Sequence, residues 1–146
     1  MRSLLVFIAL FITSGCGYFM SGTWEDDPDN WERAFYSSKP DGVIVTHSKY
    51  TRFAHWSDEY IYFFEIEHND SLLNHLIREF ELVNVLIGSA NFTEAMEAIG
   101  EEAPAWFIPK MMKKYELWTY KDFDQTNFRL FLDTETKSIF LYNRQF

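Results

Sequence analysis

The sequence predicts an α+β fold, an antiparallel sheet of about five strands with two or three helices packed on it, and three observations carry that prediction. Glu59 to Glu67, EYIYFFEIE, alternates so that Tyr60, Tyr62, Phe64 and Ile66 line one face while Ile61 and Phe63 line the other. This is the pattern of a strand covered on both sides. Leu72, Leu73, Leu76, Ile77 and Phe80 then recur at helical spacing, giving an apolar stripe that needs a sheet to lie on. Finally, Phe128 to Asp133 and Ile139 to Asn143 are separated only by Thr134-Glu-Thr-Lys137, which reads as a hairpin with Phe128, Leu130 and Leu132 on one face.

The elements follow in order. Asp27-Pro28-Asp29-Asn30 opens a helix, because it offers a capping acceptor, a proline at the first helical position and acids where the helix dipole favours them. Trp31, Ala34 and Phe35 share one face of it, and Lys39-Pro40-Asp41-Gly42 ends it as a turn. Val43-Ile44-Val45 starts the first strand, continuing through Thr46 to Lys49; Glu59 to Glu67 is the next and belongs near the middle of the sheet. Asp70 or Ser71 caps the main helix. The run Leu82 to Gly88, LVNVLIG, fits either an extension of that helix or a short strand. Asn91 with Glu94 resembles a capping box for a short helix through Ile99, closed by Gly100. Pro104 to Pro109, PAWFIP, cannot be helix interior and reads as an extended brace that inserts Trp106 or Phe107 under the sheet. Tyr115 to Tyr120 is a further strand, and the hairpin completes the sheet.

The chain has 146 residues and a formal net charge of -9, with 19% aromatic residues. That is one domain, too rich in aromatics for a disordered acidic tail and too acidic for wholesale nucleic-acid binding, which needs a basic face. Its single cysteine excludes an internal disulfide and a multi-cysteine zinc site.

That cysteine closes a distinctive segment. Residues 1–16, MRSLLVFIALFITSGC, carry Arg2, an unbroken apolar run from Leu4 to Ile12, and then small and polar residues. This is the layout of a secretory signal, with an apolar run about half of the ~20 residues that cross a bilayer as a helix. Thr13-Ser14-Gly15-Cys16 resembles the lipobox of bacterial lipoproteins, although Thr13 stands where Leu, Val or Ile is usual. The resemblance implies cleavage before Cys16 and lipidation of its sulfur and new amino terminus with two or three acyl chains, palmitate among them. Thiolate nucleophilicity suits such alkylation, and stable anchoring takes at least two chains. Two alternatives are an uncleaved helix from Leu4 to about Met20 and ordinary cleavage without lipid. The resulting division is a signal peptide over 1–15, a short membrane-proximal tether over 16–26 and one α+β domain over 27–146. Tyr18, Phe19, Met20 and Trp24 in the tether are suited to packing on the domain or resting in the lipid interface. Gly17, rather than Asp, after the cysteine weakly favours the outer membrane, with the domain facing the periplasm.

Four stretches, TWEDDPDNWERAF, HSKYTRFAHWSDEYIYFFEI, PAWFIPK and FRLFLDTETKSIFLYNRQ, give the rest of the chain the look of small uncharacterised bacterial lipoproteins. This resemblance implies a membrane-tethered envelope domain and transfers no activity and no catalytic residue.

The common hydrolase, nucleotide-binding and calcium-binding motifs are missing from the sequence, and it implies no cofactor. His47, His55, His68 and His75 have no compact metal-binding spacing. The stretch His47 to Trp56, HSKYTRFAHW, holds Lys49 and Arg52 and no acid in an acidic chain, and Lys110, Lys113 and Lys114 form a second local excess of base. Cations interleaved with aromatics suit a planar, sugar or anionic group, so His47, Lys49, Tyr50, Arg52, His55 and Trp56 are candidate binding residues. The alternative is that the basic residues meet nearby acids and the rings belong to the core. The functional expectation is a non-catalytic, lipid-anchored module that binds an envelope protein or component, an inhibitor or immunity protein of a basic target being one version. An envelope hydrolase using His47 or His55 with a carboxylate, or a purely structural envelope lipoprotein, is the competing expectation.

Overall fold

The computed structural model describes residues 21–53, 59–89, 92–93, 96–97, 99–100, 102–109, 114–121 and 128–145. Cys16, the signal segment, Tyr18, Phe19, Met20, His55, Trp56, Asn91, Glu94, Lys110 and Lys113 lie outside the described residues.

Seven strands form a single antiparallel sheet: β1 (Gly22–Glu25), β2 (Val45–Arg52), β3 (Tyr60–Ile66), β4 (Leu82–Val85), β5 (Tyr115–Tyr120), β6 (Arg129–Asp133) and β7 (Ile139–Gln145). Their spatial order is β1-β2-β3-β7-β6-β5-β4. Two meanders, β1 to β3 and β4 to β7, therefore meet where β3 pairs β7. Helix α1 (Asn30–Phe35) joins β1 to β2, and α2 (Asp70–Glu79) carries the chain across the sheet from β3 to the far edge. The α+β class and all five expected strands are present, but the sheet has seven strands rather than about five.

Both extra strands are short and at edges. Gly22–Glu25, counted with the tether in the sequence, pairs with Lys49 to Arg52, so the sheet begins inside that segment. Gly22 leaves room for the Trp24 ring: a Cβ there would lie 2.7 Å from the outer end of that ring and displace it. Leu82–Val85 resolves the ambiguous LVNVLIG run as a strand, because Glu81 adopts a positive φ of 48° and turns the chain sharply out of α2. Sequence gives no warning there, since the position favours glycine and holds glutamate.

The helix ends also differ. A turn begins at Asp27, whose carboxylate accepts from the Asp29 N–H at 2.8 Å, and α1 proper starts at Asn30. It stops at Phe35 because Tyr36 takes the left-handed conformation, before the expected turn at residues 39–42. The cap of α2 is Asn69, not Asp70 or Ser71; its Oδ1 accepts from the Leu72 N–H at 2.9 Å, while its Nδ2 reaches the Gly42 carbonyl. Of the short third helix, Phe92, Thr93, Met96 and Glu97 are helical.

The pleat divides the core into two layers. On one face Tyr50, Tyr60, Tyr62, Phe64, Ile66, Leu130 and Leu141 pack with Trp31 and Ala34 of α1 and Leu72 and Leu76 of α2. On the other, Ile61, Phe63, Leu117, Phe131, Phe140 and Tyr142 are covered by Ile99, Phe107 and neighbours from the β4–β5 connection. Phe107 is the inserted ring of the Pro-rich brace, with its centroid 5.0 Å from that of Phe63 and 5.7 Å from that of Phe140. The brace is a turn rather than extended: the Phe107 N–H donates to the Pro104 carbonyl at 3.0 Å. Arg129 is the one charged side chain that is 2% exposed among the described residues; it lies on this second face and donates to the Thr119 hydroxyl at 3.1 Å.

Candidate functional site

The four expected binding residues that are described, His47, Lys49, Tyr50 and Arg52, divide between the two faces of the sheet, and His55 and Trp56 lie outside the described residues. Across β2 and β3, Lys49 is opposite Phe63 and His47 opposite Glu65, on the face covered by the β4–β5 connection. Tyr50 and Arg52 are opposite Tyr62 and Tyr60, on the helix face. Residues consecutive in a strand alternate between faces, so a basic-aromatic stretch that looks continuous in sequence is split by the pleat. Tyr50 is 5% exposed and stacks on Tyr60 at 5.8 Å, which makes it core. Lys49 reaches Glu25 of the neighbouring β1 at 3.9 Å and the Glu102 carbonyl at 3.4 Å, and Arg144 reaches Glu102 at 3.8 Å; the two contacts to Glu102 hold the cover to the sheet.

What β2 does build is a cleft at its N-terminal end. Val45 is opposite Ile66 and His47 is opposite Glu65, so Thr46 is an extra residue in β2, a bulge whose hydroxyl donates to the Glu65 carbonyl at 3.0 Å. In a regular strand Val45 and His47 would share a face. The bulge lets Val45 pack toward the helices and turns His47 to the other side, where it stacks on Trp106 at 5.4 Å.

Asp26 completes this corner. It follows β1 with φ 48°, its N–H donates to the Ser48 carbonyl at 2.7 Å, and its Oδ1 accepts from the Ser48 N–H at 2.8 Å. His47 Nδ1 lies 3.3 Å from Asp26 Oδ2, so one carboxylate fixes both the strand junction and the imidazole. Asn30, completely buried, ties α1 to the same corner: Nδ2 donates to the Trp24 carbonyl at 3.1 Å and to Ser48 Oγ at 3.0 Å, while Oδ1 accepts from Arg33 at 2.9 Å. Arg33 also bridges to Asp27 at 3.0 Å and lies 4.9 Å from the Trp24 ring centre. The Arg33 hydrogen bond, followed by the Asp29 N–H, holds the Asp27 carboxyl below its ordinary 3.8. Glu65, beside His47, is raised from 4.5 because burial outweighs the histidine's opposing field.

The result is a cleft of about 400 Å³ lined by Asp26, Asp27, Trp31, Lys39, Val43 and His47, with Phe64, Thr46 and Ser48 among the other walls. Lys39 Nζ donates to the Val43 carbonyl. Trp31 is 4% exposed, and its Nε1–H is buried without an acceptor among the described residues. Of the candidate binding residues that are described, His47 alone lines this cleft. Asp26, Asn30, Trp31 and Lys39 bear on it through tertiary contacts that no motif announces; a buried asparagine inside an apolar helical pattern is the nearest to a sequence signal.

His68 pairs with Asp70 at 3.5 Å, and His75 is exposed on α2. Among the described residues no group of three or more His, Cys, Asp and Glu side chains converges as a metal ion requires, and no helix is long and apolar enough to cross a membrane. No protein-family model, curated protein or solved structure matches this chain.

Proposed function

We propose that this chain is a lipid-anchored protein of the bacterial cell envelope, lipidated at Cys16, whose domain faces the periplasm and acts as a binding module for an envelope component or protein. The outer membrane is its preferred location. The observation that carries this reading is the start of the sheet at Gly22, six positions after the only cysteine. A link of that length spans at most about 20 Å. Lipid at Cys16 would therefore hold β1, and the cleft that adjoins it at Asp26, close to a bilayer surface. The apolar run from Leu4 to Ile12, followed by Thr13-Ser14-Gly15-Cys16, supports an address outside the cytoplasm, and the excess of 22 acidic over 13 basic residues supports a partner other than nucleic acid.

Intact mass of the protein extracted from membranes tests the anchor directly. The expected product lacks residues 1–15 and carries added acyl mass, and Cys16→Ser abolishes both the trimming and retention in the membrane pellet after alkaline washing. A normally trimmed, membrane-retained Cys16→Ser protein overturns the proposal.

The competing enzyme reading gains one specific observation, the pairing of His47 Nδ1 with Asp26 in a concave site, which leaves Nε2 as a proton acceptor. Alanine at His47 that leaves folding and envelope phenotype unchanged disposes of it.

A further inference from the structure

The two edges of the sheet differ in how they meet solvent, and from the less guarded one we infer a partner: β4 pairs antiparallel with β4 of a second copy of this chain, about a two-fold axis at Asn84. This goes beyond the envelope reading and does not depend on the lipid anchor. The other edge, β1, ends in Glu25, 3.9 Å from Lys49, and charge on an edge strand discourages the addition of another. No such charge lies on β4. Leu82 to Ser89 holds no charged residue and no proline, and among the described residues β5 alone pairs with β4. Val83 is 40%, Leu86 77% and Ile87 63% exposed, and Asn84 is exposed beside them. An apolar edge of this kind is a template for a further strand.

Two features select a second copy over a different chain. The first is that Leu82-Val83-Asn84-Val85-Leu86 reads the same in both directions. Antiparallel pairing centred on Asn84 therefore sets like against like: Asn84 opposite Asn84, Val83 opposite Val85 and Leu86 opposite Leu82. Leu82 belongs to the helix-side core layer and Val85 to the layer on the other face. Opposed residues share a face, so the exposed Leu86 and Val83 of one copy come to lie along the border of the matching layer in the other. At the axis, a side-chain amide both donates and accepts, so two asparagines satisfy one another. The second feature is charge. Two chains of formal net charge -9 repel, and they approach most easily where neither edge is charged. Glu81, the acid that precedes the strand, falls opposite Ile87. The two copies of Glu81 then stand six residues apart along the strands, about 20 Å, well beyond the ~8 Å screening length at physiological salt. Five paired residues make a small interface beside the ~800 Å² per partner of a stable one, so the dimer is weak in dilute solution.

The test uses the full chain extracted from membranes into detergent micelles. Directly opposed residues of an antiparallel pair have Cα atoms about 4.5–5.5 Å apart, within the ~4.4–6.8 Å that a disulfide spans. Asn84→Cys is therefore expected to cross-link two copies on mild oxidation, with the bridge between the introduced thiols identified by peptide mass. Leu86→Cys puts its thiol at a position that is 77% exposed but about 14 Å along the strands from its counterpart, and it cross-links about tenfold less. The unsubstituted chain, oxidised alongside, reports any bridge through Cys16. Asn84→Asp and Asn84→Lys each weaken self-association about tenfold or more in sedimentation, and mixing the two restores a dimer, because opposite charges then face one another across the axis. Absent or equal cross-linking at positions 84 and 86, a disulfide to a different protein, or no gain on mixing the two charged variants overturns the assignment. An unmodified mass at Cys16 would overturn the envelope anchor while leaving the pairing of β4 standing, so the two failures are distinct.

Discussion

The two faces of the sheet are sealed by different means. On one, α1 and α2 supply regular apolar stripes, Trp31 with Ala34 and Leu72 with Leu76, over a row of stacked tyrosines that ends edge-on at Phe64. On the other, the described residues of the β4–β5 connection bury Ile99 and Phe107, with Phe92, Met96 and Trp106 packed beside them, and Glu102 fastens the connection to Lys49 and Arg144. A helix distributes its contacts over several turns, whereas a turn such as Pro104 to Phe107 concentrates them in one ring. The first arrangement spreads its contacts over two helices; among the described residues of the second, Phe107 makes the most ring contacts with the sheet.

The largest effect expected from this contrast is at Phe107. Phe107→Ala removes a ring packed against Phe63, Phe131 and Phe140 and costs about 3–5 kcal/mol in a denaturant titration. Amide exchange in that variant should rise first in residues 102–109 and only later in α2; simultaneous loss from both faces would show that they are one cooperative layer. Next comes the helix face, where Asn30→Ala strands the Trp24 carbonyl and Ser48 and costs about 2–3 kcal/mol, seen as a lower denaturant midpoint. A cost below about 0.5 kcal/mol would mean that apolar packing alone seats α1.

The smallest effect is acid sensitivity. Asp27 on the helix side and Asp133 at the β6–β7 turn both have depressed carboxyl values. At Asp133 burial opposes ionisation, but the Glu135 and Thr136 N–H groups, the Thr136 hydroxyl and the Lys137 charge together outweigh it. Their contribution is complete above the ordinary 3.8 and disappears as pH falls below it through the folded values. Glu65 runs the other way: raised from 4.5 by burial, it lowers stability as pH climbs from 4.5 through its folded value. Urea midpoints should therefore fall below about pH 4. Glu65→Gln should flatten the shallow decline just above pH 4.5 without altering the acid limb.

Periodicity made the sheet's five longer strands and both helices legible, because each carries enough side chains for alternation or helical recurrence to stand out. It missed β1 and left β4 open, since four residues of GTWE or LVNV show barely two periods and their identity as strands comes from the neighbour they pair with. The site was less legible for a related reason. His47 was visible as a histidine in a basic stretch, but the bulge at Thr46 that decides where it points is a matter of register, set by Ile66 and Glu65 on another strand. Asp26 and Asn30 read as a tether acid and a helix-start residue; only the packing of α1 on β2 gives them a shared corner.

The position of β7 has a consequence for how the protein is made. β7 follows the other six strands in chain order, yet it fills the gap between β3 and β6. A nascent chain can pair β1 to β3 and β4 to β6 separately but leaves the flank of β3, with Phe63 and Phe64, unpaired until β7 arrives. During that interval the chain presents an apolar edge of the kind that recruits strands from other molecules. Biogenesis of this protein is thus exposed at its last step, and truncation that removes β7 should yield aggregated halves instead of a smaller sheet.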